Sequence, residues 1–175
     1  MATHVVIGDP HCTPKASNER FLWAGRLAAD VRATHIICMG DFCSMDSLSS
    51  YDKKKKSFEG RRYQKDMQHS HEALSLFNKG LGKHKARKIM LHGNHEDRID
   101  RFVDDNPELD GTLKISDLNF KQYGWQEVPY KQNKVLNGVY YAHHFPSGIL
   151  GSAISGENIA RTLLTKHKVS ATVGH

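Results

Sequence analysis

The chain has 175 residues, of which 38% are apolar and 25% charged, a balance that suits one globular domain and excludes an intrinsically disordered chain. No apolar run reaches the roughly 20 residues needed to span a bilayer, and the opening MATHVVIGDPH lacks a signal-peptide pattern, so a cytoplasmic protein is expected. Lysine and arginine outnumber aspartate and glutamate by 25 to 19, giving +6 with histidine neutral, which favours an anionic partner only weakly.

The elements alternate between short apolar runs and amphipathic stretches, the pattern of an α/β fold. Thr3 to Ile7 is predicted as a buried strand, broken by Gly8 and Pro10. A helix follows, capped by Ser17 or Asn18, with Phe21, Leu22, Leu27, Ala28 and Val31 near helical spacing. Thr34 to Met39 is a second strand, halted at Gly40. After a polar segment containing DKKKK, a long helix is expected from about Phe58 to Leu81. ARKIMLHGN is a third strand, and Glu96 to Asp104 reads as helical. Around YGWQEVPYKQNKVLNGVYYAHH a β-hairpin is expected, because Asn137-Gly138 between β-rich runs is a strong turn signal. Ser155 can cap a helix to about His167, and KVSATVGH is a last strand.

Five of these segments end in the same kind of chemistry. The ends carry Asp9-Pro10-His11, Gly40-Asp41, Gly93-Asn94-His95-Glu96, His143-His144 and Gly174-His175. Ligands lie where strands of an open α/β sheet finish, because the turns expose side chains on a stiff support. In an extended segment Asp9 and His11 would face the same way and could grip one ion. Glycines at 8, 40, 93 and 174 would let the backbone turn tightly beside a crowded centre. Carboxylate, amide and imidazole make a mixed N/O donor set, better suited to Mn, Fe or Zn than to calcium. The chain has 12 histidines; His4, His35, His69, His71, His84 and His167 have no motif around them and read as packed or solvated. His92 adjoins the site in sequence but belongs on the opposite strand face. Cys12, Cys38 and Cys43 show no CxxC spacing and read as reduced thiols.

The ordered series DPH, GDFC, GNHE, AHH and GH resembles the calcineurin-like metallophosphoesterases, whose DxH, GDxx, GNHE or GNHD, later His and GHxH motifs each follow a strand. The resemblance covers nearly the whole chain. It implies a metallophosphoesterase-like four-layer αββα sandwich and a hydrolase acting on phosphate mono- or diesters, a phosphatase or phosphodiesterase. Two divalent ions are implied, Mn first, with Zn, Fe or Ni as the other choices. They would lower the pKa of a bridging water, and the hydroxide so formed would attack phosphorus in line.

By the same resemblance Asp9 and His11 bind the first metal and Asp41 bridges both. Asn94 binds the second with His175 and one of His143 and His144, His143 being favoured. His95 faces the substrate as the catalytic residue, donating a proton or stabilising charge on the phosphoryl group. The chain stops at His175, before the second His of GHxH, so the domain 1–175 reads as cut short at that motif.

Arg98 and Arg101 follow GNHE closely enough to meet a substrate phosphate, although at this spacing they could instead pair with Asp97, Asp104 or Asp105. The run Lys53 to Lys56, with Arg61, Arg62 and Lys65, could hold a nucleic-acid backbone or could be a solvated loop. The rival reading is a catalytically weakened relative serving as a nucleic-acid-binding module, or a nuclease of the same family. No membrane partner is expected, and the sequence is silent on oligomeric state.

Overall fold

The computed structural model describes residues 2–147, 152–154 and 156–175. Strands β1 (His4–Ile7), β2 (His35–Cys38), β3 (Arg87–Leu91) and β4 (Trp125–Val128) form a parallel sheet in that order. Its strands read as apolar runs because both faces are covered. Along β2, Ile36 and Cys38 join one core, while Ile37 and the following Met39 join another.

Helices α1 (Glu19–Asp30) and α2 (Tyr63–Leu81) supply the connections and share the first core through Phe21, Ala28, Leu74 and Phe77. The buried stripe of α1 is Phe21, Gly25 and Ala28. Leu27 and Val31, expected on the apolar face, are 55% and 43% exposed. At about 100° per residue they fall about 120° and 80° round the helix from Phe21, outside the stripe it shares with Gly25 and Ala28. Asn18 stands at the N-cap of α1 without a side-chain cap bond; its amide donates to His69 O and Glu72 Oε2 at 3.0 and 2.8 Å, tying the helix start to α2, while Ser17 Oγ accepts from Glu19 N at 3.2 Å. The second helix starts later than expected, at Tyr63, because residues 56–58 make only one 3₁₀ turn before Gly60 adopts φ 77°.

Strands β5 (Asn133–Leu136), β6 (Val139–Ala142) and β9 (Ser170–Val173) form a second sheet in the order β5-β6-β9. The β5–β6 hairpin turns at Asn137-Gly138 with φ of 50° and 82°, both positive as a type I′ turn requires. Trp125–Val128, expected with this hairpin, pairs instead with β3 in the first sheet. Leu136 and Tyr141 pack with Ile37, Met39, Ile89 and Leu91, so the two sheets face each other. On the outer side, Leu163 of α4 (Ile159–His167) meets Ala142, and Tyr140, Ala171 and Val173 pack against the same cluster. The cap expected at Ser155 lies outside the described residues. A short pair, β7 (Pro146–Ser147) and β8 (Ser152–Ala153), and helix α3 (Asp97–Asp105) complete the elements. Among the described residues no helix is long and apolar enough to cross a membrane.

Register decides what this frame can present. Ile7 pairs with Cys38, Cys38 with Met90, and Ala142 with Val173. The segments after β1, β2 and β3 therefore leave the first sheet at one level, and those after β6 and β9 leave the second sheet together.

Candidate metal centre

Four of the expected ligands sit on left-handed backbone: Asp9, His11, Asp41 and His175 have φ of 24°, 46°, 47° and 62°. Non-glycine residues adopt this region infrequently, and such conformations gather at functional sites. The extended path expected from Asp9 to His11 does not form, so strand alternation does not set their directions. Arg20, which sequence reasoning missed, braces this loop by donating to Pro10 O and His11 O at 2.9 and 3.1 Å. Its partners are backbone carbonyls, which leave no side-chain signature to read.

Asp41 is buried at the middle. Its Oδ2 lies 3.9 Å from His11 Nε2 and 3.8 Å from His95 Nε2, while Oδ1 lies 3.5 Å from His143 Nε2. Two groups result, His11–Asp41–His95 and Asp41–His143–His175, each with its donor atoms within 4.8 Å of one another. Either group can hold a metal ion, and Asp41 belongs to both. Glycine makes the approach possible: a Cβ on Gly93 would overlap Asp41 Oδ1 and come within 2.8 Å of His143 Cε1. Gly8 has no such duty, since a Cβ there would meet nothing within 4 Å.

Hydrogen bonds set the histidine tautomers. His143 Nδ1 lies 2.8 Å from Met39 O. A carbonyl only accepts, so Nδ1 carries a proton and the ring turns Nε2 inward. There it meets Asn94 Oδ1 at 3.0 Å and His175 Nδ1 at 3.2 Å. This arrangement, with the outer ring nitrogen bound to a carbonyl, is the one metal-ligating histidines use. Asp9 supplies a further unsatisfied acceptor. Its Oδ2 accepts from His175 N at 2.6 Å, but its buried Oδ1 has no hydrogen-bond partner. Converging lone pairs with a bare carboxylate oxygen form a donor set that a cation completes.

His95 follows the same rule. Its Nδ1 donates to Ser44 O at 2.7 Å, and its Nε2 accepts from Arg98 Nη2 at 3.1 Å. Burial holds its pKa below the usual imidazole value, with the Asp41 charge pushing the other way and Arg98 adding to the drop. Arg98 also donates to Ser44 O at 2.9 Å. Arg101 pairs with Asp97 at 3.1 Å and donates to Asn94 O at 3.1 Å, so the local pairing does form.

Glu96 proves to be the clamp of the centre. Its fully buried carboxylate accepts from Gly93 N and Asp41 N through Oε2, at 2.7 and 3.0 Å, and from Cys43 N through Oε1 at 3.2 Å. It thereby ties the segment after β2 to the segment after β3. Burial pushes its carboxyl up to about 7 against the pull of the Gly93 amide, and the Asp41 charge adds to the rise.

His143 and His144 are both buried. His143 joins the Asp41 group; the His144 ring turns towards Tyr130, 5.2 Å between centroids, and stands 5.9 Å from that of His175. Other histidines are engaged elsewhere. His92 bonds Glu127 at 2.9 Å, His4 bonds Tyr141 Oη at 2.7 Å, and His84 bonds Ala33 O at 2.7 Å. A comparison with family models, curated proteins and solved structures returned no match.

Proposed function

We propose that the chain is a metal-dependent hydrolase of phosphate esters, working at a dinuclear centre in which Asp41 is shared. The observation that carries the reading is the division of the Asp41 carboxylate, Oδ2 towards His11 and His95 and Oδ1 towards His143. Further support comes from the motif series from Asp9 to His175. The layer order agrees too: α1 and α2, the parallel sheet, the second sheet, then α4, as in a metallophosphoesterase-like αββα sandwich.

In this reading Asp9, His11 and Asp41 hold one ion, and Asp41, Asn94, His143 and His175 hold the other. A pair of divalent cations, Mn foremost, supplies Lewis acidity that polarises a phosphoryl oxygen and acidifies water. The chain's own residues do the rest. Glu96 keeps the two Asp41-bearing segments together, and Met39 O and Ser44 O fix the rings of His143 and His95. His95 acts from Nε2, because its Nδ1–H is committed to Ser44 O. As a neutral ring it accepts from Arg98; to protonate a leaving oxygen it must first take up a second proton. Arg98 then serves the phosphoryl oxygens as a fixed positive charge.

The test is hydrolysis of an aryl phosphate monoester and of bis-4-nitrophenyl phosphate by the metal-stripped chain, before and after adding Mn. Turnover of either ester that appears with metal and disappears with chelator is expected. Absence of turnover with Mn, Zn, Fe and Ni alike would remove the proposal.

A further inference from the structure

A cavity of about 230 Å³ lies between the segment 48–53 and α3. Its wall is shared with the metal centre. Arg98 and Arg101 line it, and the same two side chains donate to His95 Nε2 and Asn94 O, each at 3.1 Å. Lys53 adds a third cation, its Nζ 5.4 Å from the Phe102 ring centroid. Tyr51, on the rim, is 80% exposed.

We propose that this cavity receives the nucleoside of a nucleoside phosphate whose phosphoryl group lies at the metal centre; the proposal rests on the phosphoesterase reading above. Size is the first argument. The cavity is smaller than the roughly 300–1,000 Å³ of drug-sized pockets, which suits one nucleoside and rules out a duplex. Chemistry is the second. Tyr51 is an unpacked aromatic face on which a base can stack, and stacking serves any base because every base has a π-face. Charge direction is the third. Arg98 and Arg101 stand at the end nearest the centre, where the phosphate belongs. Asp104 and Asp105 line the cavity one to two turns further along α3. Carboxylates there repel a second phosphate and accept from the N–H and O–H groups of a base or ribose. The ligand that matches is anionic at one end, planar and donor-rich at the other. A free nucleotide and the end of a single strand share that chemistry.

The experiment compares two phosphodiesters with the same reacting centre, thymidine 5′-(4-nitrophenyl phosphate) and methyl 4-nitrophenyl phosphate, in the Mn-loaded chain and in Tyr51→Ala. The wild type is expected to prefer the nucleoside ester in kcat/KM. That preference should fall by roughly 5–150-fold in the variant, the range for losing one stacking partner. No preference in the wild type, or one unmoved by Tyr51→Ala, overturns the cavity proposal while hydrolysis of the methyl ester still upholds the phosphoesterase reading. If neither diester reacts, the monoester and metal series above decides the phosphoesterase reading, and calorimetric titration with thymidine 5′-monophosphate decides the cavity alone. Binding weakened by Tyr51→Ala sustains it; equal or absent binding overturns it. A short single-stranded oligonucleotide that competes more strongly than the mononucleotide identifies a strand end as the natural ligand, and the reverse identifies a free nucleotide. In both cases Tyr51→Ala must weaken the competition, or the proposal falls.

Discussion

Asp41 Oδ1 lies 3.5 Å from His143 Nε2, a ring whose other nitrogen is spent on Met39 O 2.8 Å away. Held this way, the ring aims Nε2 at the carboxylate and at Asn94 Oδ1. The pair, with His175, offers donor atoms close enough to hold one metal ion.

That relationship separates two histidines adjacent in sequence. His143→Ala should cost the chain one bound ion, because it removes the donor aimed at Asp41 and Asn94. His144→Ala should keep the metal content, since its ring turns towards Tyr130. Elemental analysis of the two variants after metal loading checks this; a reversed order would make His144 the ligand.

Glu96 should matter for stability as well as for the site. Removing its carboxylate strands three buried backbone N–H groups, and each unsatisfied group costs about 1–3 kcal/mol. Glu96→Ala should therefore lose at least about 3 kcal/mol in urea unfolding. Glu96→Gln should lose less, because one carbonyl oxygen remains to accept. A Glu96→Ala chain as stable as the wild type would mean that the clamp holds nothing.

The contrast between Glu96 and Asp41 shows what a sequence can display. Asp9, Asp41, Asn94 and His175 could be singled out because each stands beside Gly or Pro at a strand end, where polar side chains sit on rigid supports. Glu96 stood in the same motif without a role, since its partners are amides from two segments about 50 residues apart. The resemblance favoured His143 over His144, but the contact that orients its ring, a carbonyl at Met39 just after β2, left no mark in the sequence. In the fold, the apolar runs and the Asn137-Gly138 turn were readable locally. That Trp125–Val128 joins the first sheet, and that Leu27 and Val31 face outward, depends on which face the neighbouring elements cover.

His95 tests the division between binding and chemistry. With its Nδ1 anchored on Ser44 O and its Nε2 beside Arg98, it can serve the substrate without serving as a ligand. His95→Ala should keep the bound metal and lower the rate by roughly 10²–10⁴-fold. Its place in the His11–Asp41–His95 group makes the opposite result informative: loss of an ion would turn His95 into a ligand.

The sharing of Asp41 between two ions is the claim on which the rest depends, and metal stoichiometry measures it most directly. Wild type and Asp41→Asn would be loaded with Mn, freed of excess metal and analysed for ions per chain. Two ions in the wild type and fewer than one in Asp41→Asn are predicted, with turnover lost in parallel. A wild-type chain that binds at most one ion, or an Asp41→Asn chain that keeps two, would contradict the dinuclear centre.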